Sequence, residues 1–150
     1  SLVGKVSIMP LAISDKHDVN RLNLTTTEWG GALSTFGETY GQDGKELDIA
    51  FSFNTFGISL DMALDVFDLD APKYLKIDVD GIEHLILKGG LAVLAHVHEV
   101  LVEINDGFLE QSAVSSRILQ AAGFKMARTG DYVYLDGTHK DRIRNQIWTK

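Results

Sequence analysis

"YLKIDVDGIEHLILKGG", from Tyr74 to Gly90, decides how this chain is read. The near-continuous apolar run Lys73 to Val79, flanked by Pro72 and Gly81, predicts a strand buried on both faces. Beyond it, apolar side chains recur at Ile82, Leu85, Ile86, Leu91 and Leu94, so Ile82 to Ala95 predicts one helix interrupted at Gly89-Gly90 or two short ones. Three acids, Asp78, Asp80 and Glu83, gather around Gly81 where strand gives way to helix.

Ligands of open α/β sheets bind beyond the carboxyl ends of the strands. Glu103, Asn105 and Asp106 stand at that end of the next predicted strand, Glu99 to Ile104, so two neighbouring strands aim acids into one crevice. A purely structural account is available for part of the cluster. Asp80 would cap the following helix and Glu83 would complement its dipole in the first turn. Asp78 fits that account less well, because a carboxylate at an apolar strand end carries a desolvation cost that calls for a partner. If the crevice is catalytic, Asp78, Asp80, Glu83, Glu103 and His84 are the candidate acids and bases. Asp78, Asp80, Asn105 and Asp106 are also oxygen donors of the kind magnesium accepts, although carboxylates hydrogen-bonded to backbone are the simpler reading.

Working outward, Val6 to Ser14 reads as a strand, with Pro10 marking an edge or bulge, and Arg21 to Thr25 as a half-buried one. The stretch from Thr26 to Glu46, with five glycines, reads as a long loop. Leu47 to Phe56 alternates as a strand, and Ser59 offers an N-cap to a helix carrying Leu60, Ala63, Leu64 and Phe67. An amphipathic helix is predicted from Phe108 to Ala122, stopped by Gly123. Phe124 to Arg128 and Tyr132 to Leu135 suggest an antiparallel hairpin, and Asn145 to Thr149 a last strand. Strands alternating with helices from Lys73 onward predict one α/β domain over residues 1–150: three layers, a mostly parallel sheet and an antiparallel carboxyl-terminal hairpin.

Composition narrows the function. With 14 basic and 21 acidic side chains the formal charge is −7, which argues against a nucleic-acid partner. No apolar run is long enough to span a bilayer. The absence of cysteine removes disulfides, thiolate metal sites and cysteine nucleophiles, and is in keeping with a cytoplasmic protein.

Two families share features with the acidic cluster. Asp78-Val79-Asp80-Gly81 resembles the Asp-x-Asp-Gly motif of haloacid-dehalogenase-like phosphatases, in which the first Asp is the nucleophile and the second the general acid. Ile82, however, stands where that family prefers Thr, and the motif normally falls near the amino end of the fold. The chain as a whole resembles the FkbM family of S-adenosylmethionine-dependent methyltransferases. Leu75-Lys76-Ile77-Asp78-Val79-Asp80-Gly81-Ile82-Glu83 follows its strand-turn-helix signature, with Asp80 for the usual Glu, and Leu87-Lys88-Gly89 closes the helix. "LAISD" (Leu11 to Asp15), "ISLDMAL" (Ile58 to Leu64), "VLVEIN" (Val100 to Asn105) and "AGFKM" (Ala122 to Met126) are similar to further family motifs in the same order.

The resemblance implies a partial class I, Rossmann-like methyltransferase sheet, with S-adenosylmethionine as cofactor and a small-molecule hydroxyl as acceptor. Ser14, Asp15 and Asp78 would lie near the cofactor. In the family order 3-2-1-4-5-7-6, Lys73 to Val79 is the fourth strand, and these residues begin at the third. The family's glycine-rich turn, Asp-x-Gly-x-x-x-Gly, is absent, so the chain is expected to be an incomplete enzyme, inactive alone; the alternative is a non-catalytic oligomerising or binding module. Without strands 1 and 2, the Lys73 to Val79 strand has an open apolar edge. We expect Val6 to Ser14 or Leu47 to Phe56 to fold onto it, or two chains to pair through it.

Overall fold

The computed structural model describes residues 5–130 and 142–150. Among these it contains eight strands and four helices. The first sheet is built from β1 (Ala12–Ser14), β2 (Asp18–Leu24), β3 (Ser34–Phe36) and β4 (Phe51–Ser59), in the order β1-β4-β2-β3. β1 runs parallel to β4, whereas β2 lies antiparallel to both β4 and β3. The helix α1 (Leu60–Phe67) leaves this sheet and leads into the second.

The second sheet comprises β5 (Tyr74–Ile77), β6 (Glu99–Asn105), β7 (Lys125–Thr129) and β8 (Ile143–Thr149), ordered β5-β6-β8-β7. β5 and β6 are parallel, and β8 lies antiparallel between β6 and β7. Connecting β5 to β6 are α2 (Glu83–Lys88) and α3 (Leu91–His96), and α4 (Leu109–Ala121) connects β6 to β7. The interrupted helix of the sequence is thus two helices. The strand expected at Tyr132 to Leu135 lies outside the described residues.

This architecture corrects the expected fold. The chain does not form a three-layer, mostly parallel Rossmann-like sheet but two small mixed sheets, one of them curled into a half-barrel. Parallel neighbours need a crossover connection of a dozen or more residues, usually a helix. Between the parallel β1 and β4 that connection carries no helix but the antiparallel strands β2 and β3. With 24% helix there is too little to cover both faces of one large sheet. The fold-back expectation fails as well: β1 and β4 pair with each other, and among the described residues β5 hydrogen-bonds to β6 alone.

Local chemistry sets the helix ends. The Ser59 hydroxyl accepts the Met62 N–H at 3.2 Å, capping α1, and Asp61 sits in the first turn. The Asp61 carboxylate then caps α3 by accepting from the Ala92 and Val93 amides at 3.1 and 2.9 Å. Gly123, at φ 90°, ends α4 in the left-handed region as expected.

Both sheets contribute to one apolar cluster. Leu87, Leu94, Val100, Val102, Leu119 and Trp148 are buried at its centre, with Phe36, Ile13 and Leu22 of the first sheet packed in. The two sheets meet through the α2–α3 junction, where a Cβ on Gly89 would strike the Ser14 carbonyl oxygen at the end of β1. Gly89→Ala should therefore lower unfolding free energy by about 1–3 kcal/mol, the usual cost of overpacking. Denaturant titration checks this, and an unchanged midpoint would show that the sheets are not in contact there.

Candidate functional site

The crevice beyond the carboxyl ends of β5 and β6 is roofed by the segment from Gly37 to Leu47. The Asn105 side-chain amide donates to the Gln42 carbonyl at 2.9 Å. A Cβ on Gly81, which adopts φ 119°, would lie 2.5 Å from the Gly41 carbonyl oxygen. Phe108 packs against Gly44 and meets the Tyr40 ring edge-on at 5.3 Å between centroids. Close approach of backbone to backbone explains why glycines recur in this segment and at position 81.

Most of the predicted acids have a partner. Asp80 does not cap α2; its carboxylate accepts the Ser34 N–H at 3.0 Å and ties the β5 turn to β3 of the other sheet. Asp78 pairs with Lys76 on the same exposed face of β5. Glu103, half-buried at the end of β6, is raised above the usual carboxyl range by burial and then by the charges of Asp78 and Asp80. Asp106 pairs with Arg144 at 2.6 Å. Asp15 is paired with Lys88 at 2.7 Å, and Ser14 is buried beside it. Burial works to raise the Asp15 pKa, but the Lys88 ammonium outweighs it and holds the carboxyl below its ordinary value.

Glu83 is the most deeply placed acid. It opens α2 at 1% exposure, accepts the Val79 N–H at 3.3 Å and receives the Gln111 side-chain amide at 2.5 Å. Gln111 in turn accepts the Asn105 N–H at 2.8 Å, so one chain of hydrogen bonds joins β5, α2, α4 and β6. Burial pushes the Glu83 pKa up to about 8, against the pull of its N–H donors. The neighbouring His84 is also buried, not a surface residue, and stacks edge-on to Phe108 at 5.9 Å. Burial lowers its pKa, and its Nδ1 has no hydrogen-bond partner among the described residues. Neither Glu83 nor His84 reaches the cleft described next.

A cleft of about 490 Å³ separates the two sheets, bounded by Leu11 to Ile13, Leu22, Ser34 and Phe36 on one side and by Leu75 to Val79, Ile82 and Ile86 on the other. It is apolar apart from Ser34, Lys76 and Asp78, and within the usual range of ligand sites. Of the acids nominated from sequence, Asp78 alone lines it; Ser14 and Asp15 do not. Trp29, in the loop of the first sheet, stands fully exposed and away from it.

These residues do not fit S-adenosylmethionine. The glycines nearest the turns, Gly81 and Gly89, spend their close approach on the chain's own carbonyls, and no open glycine cradle follows a buried strand among the described residues. Nor do they fit magnesium: no group of three or more His, Asp or Glu among the described residues is arranged to hold a metal. No helix among the described residues is long and apolar enough to cross a membrane. No protein-family model, curated protein or solved structure matches the chain.

Sequence reasoning missed Gln111, Ser34 and Gln42, the partners that fix Glu83, Asp80 and Asn105. Gln111 had a signal: with Ser115 and Leu119 it falls at i, i+4 and i+8 on the inner face of α4, where an uncharged polar side chain must find a partner. The other two act through backbone atoms, which sequence does not mark.

The buried carboxyl predicts a pH dependence. Glu83 titrates near 4.5 unfolded and about 8 folded, so the folded chain binds its proton more tightly. Its stabilisation is complete below about pH 4.5 and is lost as pH rises through 8. Relative to Glu83→Gln, the native protein should lose on the order of 4 kcal/mol of stability across that window. Parallel denaturation series at stepped pH measure it, and a pH-independent difference would refute it.

Proposed function

We propose that these residues form the floor of the active site of an FkbM-type S-adenosylmethionine-dependent O-methyltransferase acting on a small-molecule hydroxyl, and that by themselves they neither hold the cofactor nor transfer a methyl group. The observation that carries this reading is the strand order. β5-β6-β8-β7, with the last strand inserted antiparallel between its two predecessors, is the order that the family resemblance assigns to strands 4, 5, 7 and 6. The acids of the signature lie at the carboxyl ends of the parallel pair in that half-sheet. The cysteine-free composition supports a cytoplasmic setting.

A second reading, a non-catalytic oligomerising module built on the same half-sheet, is favoured by a different observation. Asp15, Asp80, Glu83 and Asp106 are all engaged in holding elements together, and none is poised toward the cleft. The phosphatase alternative draws no support, because its nucleophile Asp78 is paired with Lys76 and its acid Asp80 with the Ser34 amide.

Calorimetric titration separates these readings. The chain alone should give no saturable heat with S-adenosylmethionine, whereas adding a separate polypeptide that carries a strand, an Asp-x-Gly-x-x-x-Gly turn and an acid-ended second strand should produce micromolar binding. Micromolar binding by the chain alone would overturn the claimed incapacity. No binding in the mixture would overturn the methyltransferase reading and leave the oligomerising one.

A further inference from the structure

β5 bonds to β6 on one side and to no strand among the described residues on the other. The direction of its backbone groups is fixed. The Lys73 carbonyl accepts the Glu99 N–H at 3.3 Å, and β5 and β6 pair in parallel with Leu75 opposite Val100 and Ile77 opposite Val102. Because backbone groups alternate along a strand, Leu75 and Ile77 turn their N–H and C=O toward β6. Tyr74 and Lys76 turn theirs toward the open edge, and Asp78 follows one residue past the end of the strand. Side chains alternate too: Leu75, Ile77 and Val79 are half-buried or buried, whereas Lys76 and Asp78 are exposed.

An open edge of this kind attracts another strand. The sequence at this edge is complementary to itself in one register. In an antiparallel pair of identical strands, outward-turned residues must face outward-turned residues, so a two-fold axis passes opposite a residue position. With the axis at Ile77, Lys76 of one copy faces Asp78 of the other, twice, while Leu75 faces Val79 and Ile77 faces Ile77. Moving the axis to Lys76 opposes two lysines, and moving it to Asp78 opposes two aspartates, which is unfavourable for residues directly across a ladder. An axis at Leu75 pairs Lys76 with Tyr74 and forms no ion pair at all.

We propose that two copies of this chain associate through β5, edge to edge and antiparallel about Ile77, joining two half-sheets into one. The association is isologous, as the two-fold requires. Its apolar side continues the lining of the cleft at Leu75, Ile77 and Val79, and its polar side sets Lys76 of each copy against Asp78 of the other, two residues that pair with each other within the single chain. The inference rests on the open edge and its charge pattern, not on the methyltransferase reading, and its test involves no cofactor.

Light scattering over a concentration series should show the mass rising from 16.5 kDa toward twice that value. Lys76→Glu sets Glu against Asp78 across the axis, and Asp78→Lys sets Lys against Lys76, so each variant alone should dissociate about tenfold or more readily. Mixed together, the two variants regain both attractive pairs and should form a heterodimer that neither forms with itself. Circular dichroism establishes that each variant is folded. A native protein that stays monomeric at high concentration would overturn the proposal. So would a dimer that both single variants leave intact, or folded variants that fail to associate on mixing.

Discussion

One strand, β5, carries a constraint on which the rest of the architecture depends: among the described residues it is bonded to a strand on one side only. A strand with a single neighbour among the described residues, exposed at Tyr74 and Lys76, cannot lie inside a large sheet, so the chain divides there. The segment before it closes on itself as β1-β4-β2-β3, and the segment after it as β5-β6-β8-β7. The cleft between the sheets is the space that this division leaves, and it is apolar because both walls are sheet edges and faces that would otherwise be core.

What holds the halves in register is polar. Asp80 reaches the Ser34 amide, Asn105 reaches the Gln42 carbonyl, and Asp15 holds Lys88. Each joins a residue after β5, at the end of β6 or on α2 to one before β4. Inside the second half, Glu83 and Gln111 link the β5 turn to α4 and β6. A buried carboxyl with its proton affinity raised is costly to ionise there, so the same group that knits the half-sheet makes it sensitive to pH. The residues with catalytic chemistry in the sequence are therefore the residues doing structural work in the fold.

Much of the local structure was legible. Ser59 and the apolar spacing after it gave α1 to the residue, and the 3.6 period with Gly123 gave α4, because caps and periodicity are short-range signals. The strands Lys73 to Val79 and Glu99 to Ile104 were found by their apolar runs. β3 was not, since three residues between glycine-bearing turns carry no period. The partition into two sheets was hidden for a different reason. Parallel β1–β4 pairing joins residues 45 apart, as at Ala12 and Gly57, and no local pattern encodes which of two possible neighbours a strand selects. The site followed the same rule. Its acids were visible, whereas their partners lie as far as 73 residues away and include main-chain groups.

The account stands on the single-sided bonding of β5, and amide hydrogen exchange reads that directly. In the Lys76→Glu protein, which should be held apart from a second copy, the amides of Leu75 and Ile77 should be protected by β6 while those of residues 74 and 76 exchange freely. Alternating protection along this strand is the predicted result. Uniform protection of all four would mean that the chain covers its own edge, and the division into two sheets would have to be abandoned.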